Sequence, residues 1–348
     1  MKALTFAGRS DVRCESVPEP GLRAPTDAIV EVRLSGICGS DLHVYNEREK
    51  GLDAGTVLGH EFVGEVVETG KAVRSLKRGD RVASPFTTSC GRCFYCARGL
   101  SARCPEGRLF GWVEGGEGLP GGQAERVRVP LADSTLVVLP EGVPDEEGLL
   151  LGDVLSTGFF CAEQAGVEAS GVYAVVGCGP VGLMAIVAAR ERGAERIVAI
   201  DSVSERLELA RLFGARPLDH RAEPPGETLE EMTDGRGADA VLEAVGSPAA
   251  VRSAIDLVRP GGVVASVGVH TEERFAFTPI EAYDKNLTFR TGRCPARHYM
   301  EGLLPLLARG RYPLGAVISH RLPLAEGPRG YALFDARHEG CTKVVLKP

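Results

Sequence analysis

The sequence predicts an α/β protein in two parts: a β-rich, glycine-punctuated first part to about residue 150, then a doubly wound parallel sheet. Three observations carry this. First, "DAIVEVRLSGI", "EFVGEVVETG", "GDRVASP", "QAERVRVP" and "STLVVLP" are short β-branched runs bounded by Gly, Asp or Pro, spaced as in a small barrel or sandwich with long loops. Second, "VYAVVGCGPVGLMAIVAARERGAERIVAIDSVSERLELARLFGA" reads as strand, glycine turn, helix, strand, helix. Third, "ADAVLEAVG", "GGVVASVGV" and "KNLTFRTG" supply further buried strands, with "PAAVRSAIDLVRP" a helix between two of them. Strands alternating with helices imply a parallel sheet covered on both faces.

The tail adds a helix, "RHYMEGLLPLLARG", and a closing strand, "CTKVVLK". These lie beyond the strands one nucleotide-binding sheet needs, so they are expected to return to the first part. The predicted division is 1–153 with 294–348, and 154–293.

A chain of 348 residues with 44% hydrophobic and 25% charged residues has the length for about two domains and a sizeable core. A net charge of −7 argues against a nucleic-acid partner, which selects a basic face. No stretch approaches the roughly 20 apolar residues of a membrane span. The start, "MKALTFAGRSD", lacks an apolar leader core, so a cytoplasmic location is expected. Arginine outnumbers lysine and the amides are only Asn46, Asn286, Gln123 and Gln164, a bias that suits a heat-tolerant source or a GC-rich genome equally.

"GCGPVG", Gly177 to Gly182, follows the apolar strand "YAVV" and opens the helix "PVGLMAIVAAR", the context that turns a weak motif into a dinucleotide site. Gly177 allows the tight turn, Gly179 lets backbone approach a pyrophosphate, and Gly182 lets helix and strand pack closely. Pro180 and Val181 open the helix whose N-terminus receives the phosphate. Asp201 ends the next strand, "RIVAI", where a carboxylate accepts from ribose hydroxyls and repels a 2′-phosphate, favouring NAD over NADP. Arg206 softens that preference if it reaches the ribose, but its place in the following helix points to the surface.

"CGRCFYCARGLSARC" has the spacing C-x2-C-x2-C-x7-C at Cys90, Cys93, Cys96 and Cys104. In a reducing compartment clustered thiols bind metal more often than they pair. Four thiolates close a tetrahedral shell around zinc and leave no place for substrate, so such a site braces a loop. Cys104–Pro105 has the ending of an iron–sulfur run, but the x7 interval fits that spacing poorly; unligated thiols are the other alternative. A second set, Cys38, Ser40, Asp41 and His43 in "GICGSDLH" with His60 and Glu61 in "LGHEFVGEV", needs the fold to bring it together. Singly, Cys38 reads as a buried small hydrophobe and His60 as a core histidine.

"GICGSDLH", "GHEFVGEVVETG", "GDRVA", the cysteine loop, "GDVLSTG" and "VVGCGPVGL" occur in an order that resembles the zinc-dependent alcohol dehydrogenases of the medium-chain dehydrogenase/reductase superfamily, nearly end to end. Within it, "SPFTTSCGRCFYC", "LLLGDVLSTGFF" and "TGRCPAR" resemble the formaldehyde-dehydrogenase-like branch. The resemblance implies a GroES-like β-rich catalytic domain, a Rossmann coenzyme domain, NAD, two zinc ions per subunit, and a homotetramer or homodimer. It implies Cys38, His60 and Asp153 as ligands of a catalytic zinc, with Glu61 an alternate ligand, and Cys90, Cys93, Cys96 and Cys104 as those of a structural zinc. It implies Ser40 and His43 as a proton relay and Thr157 beside the nicotinamide. Val245, Val267, Gly268 and Val269 then line the coenzyme, with Arg293 and Lys343 as cationic candidates whose alternative is solvated surface charge; His270, beside the same strand end, has no assigned role. The expected reaction moves a hydride between a small alcohol or aldehyde and NAD(H). A polyol or amino-alcohol dehydrogenase of the same superfamily and a non-enzymatic nucleotide-sensing zinc protein are the alternatives.

Overall fold

The computed structural model describes residues 1–348. The chain divides into two compact units, Met1–Ser156 with Pro295–Pro348, and Thr157–Cys294. The first boundary falls later than the sequence suggested because no linker marks it. Residues 145–164 are one helical run: Asp145–Leu150, a π-helical turn at Leu151–Leu155, then Ser156–Gln164.

The first unit is built on a sheet ordered His320–Pro323, Val344–Lys347, Ala28–Ile37, Phe62–Thr69, Arg81–Ser84, Val137–Val138, with Arg126–Val129 also paired to Ala28–Ile37. The C-terminal strand closes on this sheet. Val344 lies opposite Ile37, Val345 opposite Gly36 and Leu346 opposite Ser35, antiparallel. Alternation along Ala28–Ile37 buries Ala28, Val30 and Val32 against Phe62, Val66, Val82 and Phe110, the period-2 pattern of a half-covered strand. Bulges near Ile29/Val30 and Val32/Leu34 bend the long pair, as small closed sheets require.

The second unit is a six-stranded parallel sheet ordered Arg216–Asp219, Arg196–Asp201, Val172–Val176, Ala238–Glu243, Val258–Ser266, Thr288–Thr291. This is the strand order 3-2-1-4-5-6 of a dinucleotide-binding fold, whose switch point lies between the first and fourth strands. Val172–Val176 is buried at every position and the helix Pro180–Glu191 is buried from Gly182 to Ala189, as expected for a central strand and helix buried on all sides. A Cβ on Gly182 would sit 1.8 Å from the Gly177 carbonyl oxygen, so the helix starts only where that residue has no side chain.

Gly182→Ala is therefore expected to force helix and turn apart, costing about 1–3 kcal/mol as overpacking does. A denaturant midpoint with NADH titration on the same protein checks both the loss of stability and of dinucleotide affinity.

Candidate functional site

Cys38 follows the strand Ala28–Ile37, while His60 and Glu61 immediately precede its neighbour Phe62–Thr69. Asp153 comes from the π-helical turn, a geometry found often at functional sites. A Cβ on Gly152 would meet the Ser84 carbonyl oxygen at 2.1 Å, so this turn rests directly on the strand Arg81–Ser84. Sheet register and turn thus place three distant segments together. The donor atoms of Cys38, His60, Glu61 and Asp153 lie within 4.8 Å of one another.

Cys38 Sγ is 3.4 Å from Asp153 Oδ2, and His60 Nε2 is 3.4 Å from the same oxygen. Zinc with ligands at about 2.0–2.3 Å sets tetrahedral donors about 3.3–3.8 Å apart, and both of these distances fall in that range. Burial, then the nearby Asp153 and Glu61 carboxylates, push the Cys38 thiol up. For Asp153 burial acts upward, but the His60 hydrogen bond and charge, the Lys343 charge and the Glu61 hydrogen bond together outweigh it and hold the carboxyl down at about 2. Burial disfavours the charged His60 ring, but Asp41, Cys38 and Asp153 outweigh it and raise its pKa. With His60 neutral as a ligand and Cys38, Glu61 and Asp153 deprotonated, three anions face one cation, Lys343, and the excess matches a divalent ion.

Lys343 is the first correction. It is not a solvated surface charge. Its side chain is 1% exposed, and its Nζ lies 2.6 Å from Glu61 Oε1 and 2.5 Å from Oε2. Burial disfavours the ammonium, but the Glu61 carboxylate, with the Cys38 and Asp153 charges, outweighs it and raises the Lys343 pKa. Gly36 makes room for this pair, since a Cβ there would sit 2.1 Å from Glu61 Oε2.

Asp41, only one of several candidate ligands in the sequence, has a distinct task. Its Oδ1 is 3.2 Å from His60 Nδ1, and its Oδ2 accepts from the Cys38 amide at 2.9 Å. One carboxylate thus orients two ligands, leaving His60 Nε2 for the metal. Sequence reasoning missed the layer behind it. Gln123 Nε2 donates to the Gly36 carbonyl at 3.0 Å and approaches Asp41 Oδ2 at 3.4 Å, while fully buried Tyr331 donates to Gln123 Oε1 at 2.9 Å. No local motif signals a contact between residues so far apart.

Ser40 caps the short helix Asp41–Tyr45 that carries His43. No direct hydrogen bond joins their side chains; His43 Nδ1 is buried without a hydrogen-bond partner. Burial, then Arg48, lower the His43 pKa, favouring the neutral imidazole.

All ten cysteines are free thiols. The four Sγ atoms of Cys90, Cys93, Cys96 and Cys104 also lie within 4.8 Å of one another. The Cys90 amide points at Cys104 Sγ at 3.3 Å and the Cys96 amide at Cys93 Sγ at 3.5 Å. The Cys96 amide holds the Cys93 thiol down to about 7, while burial pushes the Cys96 thiol up to about 12. The left-handed backbone at Gly91 and Gly99 supplies the turns between the cysteines.

In the second unit Gly177 has φ +88° and Gly179 caps the helix that Pro180 and Val181 begin. Asp201 Oδ2 accepts from the Cys178 amide at 2.7 Å, and Oδ1 from the Ser202 and Val203 amides at 2.6 and 3.0 Å. The carboxylate thereby joins the glycine turn to the loop after the second strand. Arg206 is the second correction. It is 12% exposed rather than a surface residue, with Nη1 3.8 Å from Asp201 Oδ2. A carboxylate and a guanidinium thus meet at the place that discriminates ribose hydroxyls from a 2′-phosphate. Val245 and Val269 are 43% and 45% exposed, Val267 donates its amide to the Glu243 carbonyl, and Arg293 is exposed. Thr157 is buried at 7% exposure in the helix Ser156–Gln164.

Two family models match, "Alcohol dehydrogenase GroES-like domain" over residues 24–141 and "Zinc-binding dehydrogenase" over 180–309. Zinc-type alcohol dehydrogenase B of Aspergillus flavus is 42% identical, covering 100% of this chain and 81% of that protein. The uncharacterized zinc-type alcohol dehydrogenase-like protein AdhB of Bacillus subtilis is 37% identical over the whole of both chains. Among solved structures, the alcohol dehydrogenase TADH from Thermus sp. ATN1 superposes with a TM-score of 0.93 at 42% identity, covering 100% of this chain and 99% of that one. The chain belongs to the zinc-dependent alcohol dehydrogenases of the medium-chain superfamily, and is a zinc-dependent oxidoreductase. No helix is long and apolar enough to cross a membrane.

Replacing Lys343 by Met is expected to leave Glu61 buried without its cation, a loss of about 3–5 kcal/mol in chelator-stripped protein. Urea unfolding measures it, and added zinc should recover part of the difference. Asp41→Asn is expected to weaken zinc affinity about 10–100-fold, the usual cost of losing a ligand's outer partner, read by competition with a chromophoric chelator.

Proposed function

We propose that this chain oxidises an alcohol to its carbonyl compound with NAD, and catalyses the reverse reduction, using a catalytic zinc at Cys38, His60 and Asp153 with Glu61 as alternate ligand. The observation that carries this reading is the convergence of these donors, from three separate segments, on one buried cluster with spare negative charge. A second zinc at Cys90, Cys93, Cys96 and Cys104 braces the lobe and takes no part in the chemistry.

When bound, zinc supplies Lewis acidity to the substrate oxygen and NAD supplies the carbon that takes the hydride. The protein's own groups do the rest. One thiolate and one carboxylate among three ligands leave a position open. Asp41 fixes the His60 tautomer so that Nε2 faces the cluster. The Ser40 hydroxyl takes the proton released from the alcohol, and neutral His43 passes it to solvent. Asp201 receives the adenosine ribose and selects NAD, and the backbone from Val267 to Val269 receives the carboxamide, with Thr157 beside the ring. Val245 and Arg293 complete the coenzyme surface.

The substrate is a small alcohol or aldehyde, hydrated formaldehyde included. The working form is a cytoplasmic homo-oligomer, a tetramer or dimer. A screen for NADH production across primary and secondary alcohols, polyols and hydrated formaldehyde, with metal content measured on the same preparation, tests the reading. Full turnover by metal-free protein, or use of NADP alone, would overturn it.

Loss of an outer partner costs about 10–100-fold, so Cys38→Ala is expected to cost more in kcat/KM while NADH still binds. Cys93→Ala should remove one of two zinc ions and lower the thermal midpoint with the Cys38 centre still loaded, as metal analysis and calorimetry would show.

A further inference from the structure

Glu243 ends the fourth strand of the second unit, and its side chain is wholly buried. No cation offsets it. Oε1 accepts from the Val245 and Gly246 amides at 2.7 and 2.8 Å, and Oε2 accepts the Ser266 hydroxyl proton at 2.5 Å. Removing a carboxylate from water costs several kcal/mol unless hydrogen bonds satisfy it. Three charge-assisted bonds do so here: two shape the loop that follows Glu243, and the third ties Glu243 to Ser266 at the end of the next strand, where the other loop begins. An apolar side chain would fill the same space without that cost, so the retained charge indicates a positioning task.

The loops concerned are 244–247 and 267–270. They touch backbone to backbone: a Cβ on Gly268 would meet the Gly246 nitrogen at 2.1 Å, and one on Gly246 the Val269 carbonyl oxygen at 2.4 Å. The first loop also covers the glycine turn, since a Cβ on Gly177 would meet Val245 Cγ2 at 2.3 Å. Glu243 thus stands at the sheet's switch point, where such folds take their ligand. The exposed valines Val245 and Val269 flank it.

His270 continues the chain. Its Nε2 lies 2.9 Å from Ser266 Oγ. Ser266 Oγ gives its one proton to Glu243 Oε2, so toward His270 it accepts. Nε2 therefore carries hydrogen, in the neutral as in the charged ring. The exposed His270 closes the far end of a chain that runs Glu243, Ser266, His270.

We propose that the hydrogen-bonded chain Glu243–Ser266–His270 holds the 244–247 and 267–270 loops in the shape that receives the nicotinamide end of the dinucleotide, with His270 as a positioning residue that acts through its Nε2–H. This rests on the NAD reading above. The chain's outer member lies on the surface, so it can be changed without unfolding the sheet. Ser266→Ala, by contrast, would strand a buried carboxylate.

The test is NADH fluorescence titration of wild type, His270→Ala and His270→Gln, with thermal midpoints in parallel. Glutamine places an N–H near the position of Nε2; alanine has none. The expected result is NADH binding about fivefold weaker in His270→Ala, the equivalent of one ordinary hydrogen bond, restored to within about twofold in His270→Gln. Equal affinity in all three proteins would overturn the proposal. Equal weakening in both variants would also overturn it, by assigning the effect to the imidazole itself. A wild type that binds no NADH would overturn the NAD reading and this proposal with it, an outcome distinct from the other two.

Discussion

Three acidic groups buried within one small volume set the terms for the first unit. Cys38, Glu61 and Asp153 face one another across no more than 4.8 Å, and one lysine opposes them. Like charges at that separation do not all ionise in a low-dielectric interior unless cations neutralise them. Lys343 meets part of the demand and a divalent ion meets the rest. The C-terminal return is therefore electrostatic as well as geometric. The strand Val344–Lys347 completes the sheet, and the residue just before it carries the cation that holds Glu61. Gly36 and Gly152 belong to the same requirement, since a methyl group at either would push a carboxylate or a strand out of place.

The two thiol sites meet the need for a closed or an open shell in opposite ways. Cys90, Cys93, Cys96 and Cys104 come from one stretch, and local turns at Gly91 and Gly99 suffice to gather them. Four identical soft donors saturate the ion, which suits a brace. The other site draws on separate elements, mixes thiolate, imidazole and carboxylate, and is aligned by Asp41 from outside. Such a site is only as well formed as the sheet register that brings Ser35 opposite Phe62 and Phe62 opposite Ser84. Folding and catalytic geometry are consequently one problem in this unit, whereas in the cysteine lobe they are separable.

Much of this was legible in the sequence, and the reasons are physical. The glycine turn at Gly177–Gly182 was readable because each glycine answers a local steric demand, and a fixed spacing records it. The cysteine lobe was readable for the same reason. Convergence of Cys38, His60 and Asp153 was not contained in periodicity or spacing; it entered through the family resemblance. Lys343 and Arg206 show the limit. For both, the sequence offered the surface as one place to lie; Lys343 is instead buried against Glu61, and Arg206 is largely covered beside Asp201. A buried cation has no sequence signature of its own, because what makes it tolerable is a residue hundreds of positions away or on another strand. Tyr331 and Gln123 were missed on the same ground.

Glu61 and Glu243 are both buried carboxylates, yet they are stabilised by different means, and the difference follows from what each must do. Glu61 is balanced by an ammonium, a mobile point charge on a flexible stem, and lies within reach of a metal position. Its carboxylate has two cationic partners to choose between, which suits a ligand that exchanges. Glu243 is balanced by two backbone amides and a hydroxyl, all tied to strand ends. Fixed dipoles give it no alternative partner, which suits a group that holds still. The 244–247 and 267–270 loops leave two neighbouring strands, and the backbone ladder between those strands reaches only as far as the Val267 amide on the Glu243 carbonyl. A buried anion that binds two amides of the first loop and the hydroxyl at the end of the next strand ties the two strand ends together where that ladder stops.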